Sequence, residues 1–379
     1  MALTKVQRAA QAAGKTLANR QTPFIFNEWY VAALGHEIGR ELKARTILGR
    51  QLVLYRQENG EPVALDNRCG HRSFPLSRSS LEGDTIVCGY HGLRYDASGS
   101  CVEVPSQCNC AGISIRSYPL VEQGPVVWIW MGEPDQADPK QIPAMPMLDE
   151  GWITSCDYMP LKASYVYLHE NLLDLTHLSF LHANTFGTPD YAAAEFDTEI
   201  SEDRFILKRY VVPTRLPPVW AKPTGLEGRD AARITTSDFV SPALHIVHAQ
   251  FYDIALPESE RPDTRIKTAH IPTPETATST HYFVVHGRNF APEDDSITDF
   301  MHQQLMAAFH EDIVGLEAME ELLSNMSPED EFFEISVKSD IASVAMRRYL
   351  KRRAEAERSQ HSAPGAVQSQ PAINTAVEV

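Results

Sequence analysis

Residues 69–92 read CGHRSFPLSRSSLEGDTIVCGYHG, and everything else in the chain is interpreted from four of them: Cys69, His71, Cys88 and His91. Cys-x-His and Cys-x-x-His are separated by 16 residues, a spacing suited to two loops that face each other across a hairpin. Two metal groups fit a pair of thiolates and a pair of imidazoles. One is zinc, bound tetrahedrally by Cys₂His₂. The other is a [2Fe–2S] cluster, with two Cys on one iron and two His on the other. Zinc fingers usually run Cys with Cys and then His with His. Here each loop carries one of each, so facing loops gather both sulfurs at one iron and both imidazoles at the other. That pattern favours the cluster, and an electron carrier over a structural module.

The flanks His71-Arg72, Pro75-Leu76-Ser77 and Cys88-Gly89-Tyr90-His91-Gly92-Leu93 resemble the Rieske family. Gly70 stands where many members carry Pro, and its freedom suits a tight ligand loop.

The 379 residues suffice for two ordinary domains with real cores. Hydrophobic residues make up 43% and charged residues 22%, the balance of a globular chain. The net charge of −16 argues against nucleic acid, whose phosphates demand a basic face. With Cys69 and Cys88 assigned to the metal, Cys101, Cys108, Cys110 and Cys156 read as free thiols in a reducing compartment. No apolar run is long enough to span a membrane, and the opening MALTKVQRAAQAAGKTLANRQ reads as a short polar helix, not a signal peptide. A cytoplasmic protein with no membrane or nucleic-acid partner is expected.

Four segments are expected: an N-terminal extension at 1–22, an all-β domain at 23–150, a second domain at 151–357, and a mobile tail at 358–379. In the first domain RQLVLYRQ, DTIVCGY and GPVVWIWM alternate as short strands between Gly and Pro punctuation. The second opens with a helical pattern over ASYVYLHENLLDLTHLSFLH. RFILKRYVV, LHIVHAQFYDIAL, RIKTAHI and STHYFVVHG then read as strands, and a long helix covers about 297–325.

His177 and His182 lie in that helical stretch. In a regular α-helix they would point about 140° apart, so sharing a metal requires a π-bulge or a helix end. Two His and one carboxylate on one face form the oxygenase type of non-haem iron site. The late helix offers the carboxylate. Leu305, Phe309, Asp312, Leu316, Met319 and Leu323 step by 4, 3, 4, 3 and 4, an apolar stripe with one Asp inside it. Such an Asp is costly unless paired or metal-bound. Glu311, Glu317 and Glu320 lie one residue off the stripe and suit a solvated face. Asp174 comes three residues before His177 and could orient its imidazole. Asn171 shares that face, while Leu172, Leu173, Leu175 and Phe180 read as core.

These motifs, with HIPTPE, STHYFVVHGRNF and HEDIVGLEAME, resemble the terminal oxygenases of Rieske non-haem iron systems over residues 23–355. The resemblance is closest to the vanillate and dicamba O-demethylase branch. It implies an α+β architecture, a Rieske β-domain followed by a helix-grip domain with a curved antiparallel sheet. It implies one [2Fe–2S] cluster on Cys69, His71, Cys88 and His91, and one mononuclear Fe(II) on His177, His182 and Asp312. It implies a homotrimer in which Asp174 links the iron site to a neighbour's Rieske His, with Asn171 close to the iron. No G-x-G-x-x-G follows a strand, so a ferredoxin and reductase should supply electrons. The expected reaction uses O₂ to dealkylate a small aromatic ether or amine. Ring dihydroxylation or other C–H hydroxylation on the same scaffold is the alternative, and an electron carrier lacking catalytic iron is a third reading. His270, in KTAHIPTP, is either a substrate contact or a hydrogen-bonded core histidine.

Overall fold

Between residues 29 and 130, runs of β-branched and aromatic residues are too short for helices and are broken by Gly, Pro and Asp. Ten short strands form: β1 (Trp29–Leu34), β2 (Lys43–Ile47), β3 (Arg50–Arg56), β4 (Pro62–Asp66), β5 (Ser80–Glu82), β6 (Thr85–Val87), β7 (Arg94–Tyr95), β8 (Cys101–Glu103), β9 (Leu120–Gln123) and β10 (Val126–Trp130). They pair antiparallel in three sheets, ordered β1-β10-β9, β2-β3-β4 and β5-β6-β7-β8. Tyr55, Leu65, Leu76, Ile86 and Tyr95 pack in one cluster with Cys69 and Cys88. This computed structural model describes residues 4–110, 112–327 and 332–361. The described residues form two units, the smaller of those in 24–142 and 354–361, the larger of those in 4–23 and 143–353.

The larger unit contains α1 (Lys5–Gly14), whose start is closed by a reciprocal Thr4–Gln7 capping box. The chain beyond it is anchored where Arg347 Nε donates to the Ala18 carbonyl at 2.8 Å. The unit's frame is β11 (Ile153–Leu161), α2 (Tyr165–Leu173), β12 (Glu195–Ile200), β13 (Phe205–Thr214), α3 (Pro218–Thr224), β14 (Ala231–Ser241), β15 (Leu244–Asp253), β16 (Thr264–Thr276), β17 (Ser279–Arg288), α4 (Asp295–Asn325) and, as far as residue 353, α5 (Ile341–His361). One seven-stranded antiparallel sheet has the order β11-β17-β16-β15-β14-β13-β12. It is a meander from β12 to β17, with the first strand returning beside the last. Helix α2 packs on β14, β15 and β16, and α4 lies against β11 and α3. The α+β architecture is therefore as expected.

The structure departs from the sequence reading at several points. The larger unit's first element after residue 151 is the strand β11, not a helix. Helix α2 stops at Leu173, because the Asp174 side chain accepts the Thr176 N–H at 3.0 Å and offers the backbone an alternative to the helical bond. A 3₁₀ turn, Leu175–Ser179, follows. Phe180, expected in the core, is 77% exposed. In α4 the buried row runs Leu305, Phe309, Asp312, Leu316 and then Glu320, leaving Met319 exposed. Glu320 is drawn inward by Arg20, at 2.8 Å, and by the Ser164 N–H, at 3.2 Å. Helix α5 carries through His361, and residues 362–379 of the expected tail lie outside the described residues. The cysteines form no disulfide. Among the described residues no helix is long and apolar enough to cross a membrane.

Candidate metal centres

The loops after β4 and after β6 close in the same way. Ser73 N–H donates to Cys69 O and Cys69 N–H to Phe74 O, at 3.0 and 2.9 Å. Gly92 N–H donates to Cys88 O and Cys88 N–H to Leu93 O, at 2.9 and 2.8 Å. The fifth residue of each loop is left-handed, Ser73 at φ 56° and Gly92 at φ 74°. This shared turn sets each Cys at the base and each His toward the rim. Cys69 and Cys88 are buried. His71 and His91 are exposed, their ring centroids 4.6 Å apart. Burial pushes the Cys88 thiol up and the adjacent Cys69 adds to this, while the Tyr90 and His91 N–H groups aim at the sulfur and work the other way.

Sulfurs at the bottom and imidazoles at the top fit a cluster whose irons differ in ligand type. One tetrahedral zinc would need all four donors around one point. Gly70 contributes less by flexibility than expected: its φ is not left-handed, and an added Cβ would meet only ordinary contacts at 3.5 Å. It contributes a backbone donor that Pro would lack, since Gly70 N–H donates to Tyr95 Oη at 3.1 Å. The Tyr95 hydroxyl lies 3.3 Å from Cys69 Sγ.

The second centre forms where α2 ends. Beyond that break, the 3₁₀ turn and the chain to residue 182 bring both imidazoles to Asp312 of α4. His177 Nε2 lies 3.4 Å and His182 Nε2 3.1 Å from Asp312 Oδ1. One ligand atom from each of the three residues falls within 4.8 Å of the others. Asn171, in the last turn of α2, donates from Nδ2 to the same Oδ1 at 3.0 Å. Burial opposes ionisation of Asp312, but the hydrogen bonds and charge of His177 and His182 outweigh it and hold the carboxyl well below its usual range. Burial likewise opposes a charge on His182, and its bonds to Asp312 and Glu311 raise it nonetheless. Two imidazoles and a carboxylate converging from separate elements match the non-haem Fe(II) donor set.

Each imidazole is also held from behind. Asp174 holds His177 with its backbone carbonyl, 2.6 Å from Nδ1, whereas its carboxylate accepts from Thr176. The expected orienting role thus belongs to the main chain. Glu311, expected on a solvated face, has its Oε2 2.8 Å from His182 Nδ1 and accepts from Thr185 Oγ1 at 2.8 Å. Consecutive carboxylates therefore grip opposite nitrogens of one imidazole. Helical periodicity carries no sign of this, since adjacent residues point about 100° apart and only the width of the ring spans them.

The three groups form one wall of a cavity otherwise lined mainly by apolar side chains, among them Leu172, Leu178, Phe186, Val247 and Phe309. His270 lines it as well. Its Nδ1 is hydrogen-bonded with the Tyr282 hydroxyl and its ring meets Phe309 edge-on at 5.4 Å. Burial pushes His270 down to about 3, so the ring is neutral.

Residues 28–119 match the model of the Rieske [2Fe-2S] domain, and residues 161–356 that of the vanillate O-demethylase oxygenase C-terminal domain. The chain is 37% identical over 315 residues to the toluene-4-sulfonate monooxygenase system iron-sulfur subunit of Comamonas testosteroni, covering 80% of this chain and 90% of that one. It is 34% identical over 304 residues to the dicamba O-demethylase oxygenase component of Stenotrophomonas maltophilia, covering 78% and 88%. The crystal structure of dicamba monooxygenase bound to 3,6-dichlorosalicylic acid superposes with a TM-score of 0.83 at 28% identity, over 89% of this chain and 99% of that one.

Proposed function

Since the chain belongs to the Rieske non-haem iron oxygenases of the vanillate O-demethylase branch, we propose that it oxidatively dealkylates a small aromatic ether or amine, with His177, His182 and Asp312 holding the mononuclear iron. It is the oxygenase component of a multicomponent system, and its cofactors are a Rieske [2Fe–2S] cluster and a non-haem iron. A ferredoxin and a reductase, or one fused protein, supply the electrons. Cys69, Cys88, His71 and His91 are the cluster ligands in this reading.

The convergence of three donors on one wall of an apolar cavity is the observation that carries the proposal. An iron held by His177, His182 and Asp312 would supply the O₂ activation by which, with two electrons and two protons from outside, one oxygen atom enters a C–H bond. Hydroxylation of a carbon attached to O or N gives a product that collapses, releasing the phenol or amine and an aldehyde, formaldehyde where the carbon is a methyl; the other oxygen atom leaves as water. The chain's own part is positioning. Asn171 fixes the Asp312 carboxylate, the Asp174 carbonyl fixes His177, and Glu311 fixes His182. Leu172, Leu178 and Phe186 keep water from the reacting carbon. His270, neutral and held by Tyr282, offers Nε2 to a substrate polar group.

We also propose a cytoplasmic homotrimer in which the cluster of one chain feeds the iron of the next through Asp174. Mixing a cluster-deficient variant with an iron-deficient one under subunit exchange should restore turnover; no recovery would place the path within one chain. The reaction itself is tested by supplying a surrogate reductase, O₂ and 4-methoxybenzoate or a panel of aryl methyl ethers, and measuring formaldehyde. Hydroxylated or dihydroxylated products without formaldehyde would overturn dealkylation in favour of another oxidation on this scaffold.

A further inference from the structure

Strand β14 directs Ala231, Arg233, Thr235, Ser237 and Phe239 into the unit, and all five are buried. Arg233 and Thr235, two apart and hence on one face of the sheet, line the same cavity as the iron triad, as does Trp220 of α3. Arg233 is only 4% exposed, yet among the described residues no carboxylate lies within ion-pair distance of its guanidinium. Its one hydrogen bond runs from Nη1 to Phe186 O at 2.7 Å. The rings of Tyr191 and Trp220 flank it, at 4.7 and 5.9 Å from the guanidinium carbon. Among the described residues, Arg233 Nε, Trp220 Nε1 and Thr235 Oγ1 find no hydrogen-bond partner, though all three are buried.

Three unsatisfied buried donors on one cavity wall, one of them cationic, are costly in an empty pocket. Arg347 illustrates the usual solution, since its guanidinium pairs with both Glu170 and Glu334. Asp190 lends Arg233 charge only from a distance, and an anion from outside the chain would supply the close partner that Arg347 finds within it. A planar carboxylate or a sulfonate suits the guanidinium, with the indole N–H and the threonine hydroxyl left for a further oxygen. Phe186 links this wall to the metal: its ring lies 4.4 Å from His182 and 6.2 Å from Trp220, while its carbonyl holds Arg233. With a net charge of −16 the whole protein repels anions, so capture must come from a local cation.

We propose that Arg233, with Trp220 and Thr235, is an anion subsite that binds the carboxylate or sulfonate of an aromatic acid and thereby aims the far end of the ring at the iron ligands. The inference rests on reading this cavity as the substrate site. Holoenzyme kept anaerobic and without reductase is titrated calorimetrically with 4-methoxybenzoate, 4-methoxybenzenesulfonate and the neutral methyl 4-methoxybenzoate. The better of the two anions should bind about 10- to 100-fold tighter than the ester, and its identity separates carboxylate from sulfonate. Arg233→Met should erase the preference, Arg233→Lys should keep part of it, and Thr235→Val should reduce it by a smaller factor. If Arg233→Met does not fold, the Lys and Val variants decide by the same criterion. Equal binding of ester and anions by the wild type, no binding of either anion, or a preference unchanged in the Lys and Val variants overturns the subsite. Formaldehyde from the ester without any preference for anions leaves dealkylation standing and removes the subsite. Arg233-dependent binding of an anion that is oxidised without formaldehyde does the reverse.

Discussion

Glu311→Ala should weaken Fe(II) binding while leaving the cluster untouched. His182 is fully buried, and its Nδ1 meets Glu311 Oε2 at 2.8 Å. A hydrogen bond to a charged group contributes about 1.5–3 kcal/mol. The Glu311 side chain is 29% exposed, so solvent screening places the effect toward the lower end, roughly 1–2 kcal/mol. That corresponds to a rise of about 5- to 30-fold in the Fe(II) dissociation constant, comparable with other carboxylates behind metal-bound histidines. Glu311→Gln should lose less, because an amide oxygen can still accept from Nδ1–H. Thr185→Val, which removes the second donor to the same oxygen, should cost least. The assay is competition with a coloured Fe(II) chelator on protein whose cluster absorbance is intact. Glu311→Ala binding Fe(II) within about twofold of the wild type, or Gln proving weaker than Ala, would refute the reasoning that the carboxylate supports the ligand.

Three further outcomes are expected. Because Gly70 N–H occupies the Tyr95 hydroxyl as acceptor, its proton is directed to Cys69 Sγ; Tyr95→Phe should lower the cluster potential by about 40–60 mV, the one-electron equivalent of roughly 1 kcal/mol, and an unchanged or raised potential in an EPR-monitored redox titration refutes this. Burial pushes His169 down to about 4, His270 and His286 down to about 3, and His245 well below its usual value. The unfolded chain therefore binds more protons below about pH 6.5, and stability falls as pH falls, each His costing on the order of 1 kcal/mol over the first unit. His182, shifted the other way, offsets only part of this. Four such losses rival a typical domain's total stability of about 5–15 kcal/mol, so cooperative unfolding near pH 5 is expected, and a melting temperature unchanged between pH 7 and 5 would exclude it. Finally, Ser73→Gly should keep the cluster, whereas Gly92→Ala should destabilise it by about 1–2 kcal/mol, because its φ is 74° and a new Cβ would sit 3.1 Å from Pro105; equal cluster retention in thermal melts of the two variants would contradict this.

The architecture was legible wherever burial imposes a period. β3, β10, β13, β15, β16 and β17 carry enough apolar residues to stand out, and the loops at 69 and 88 announce themselves by ligand chemistry. Strand β14 did not, because its inward row is Ala231, Arg233, Thr235, Ser237 and Phe239: a polar cavity wall does not look like a core strand. Both candidate metal sets were legible as residue types at fixed spacings, and Asp312 as one carboxylate within an apolar stripe. What stayed hidden depends on tertiary geometry. The break at Asp174 results from a side chain competing with the helix for a backbone donor, and the same pattern would read as continuous helix in most contexts. Glu311 and Arg233 act through contacts 129 and 47 residues away along the chain, which no local period encodes.

The bond from the Asp174 carbonyl to His177 separates two quantities that mutation usually confounds. A peptide carbonyl is supplied by every amino acid, so a substitution at 174 that keeps the Thr176 bond, and with it the end of α2, leaves the acceptor that steers the imidazole in place. Selection at this position can then act only on the side chain, through its Thr176 contact or its charge. Asparagine preserves an oxygen for Thr176 and deletes the charge, making residue 174 a natural single-variable probe: an electron-transfer defect in that variant would report the missing charge, with ligand misalignment already controlled for by the backbone.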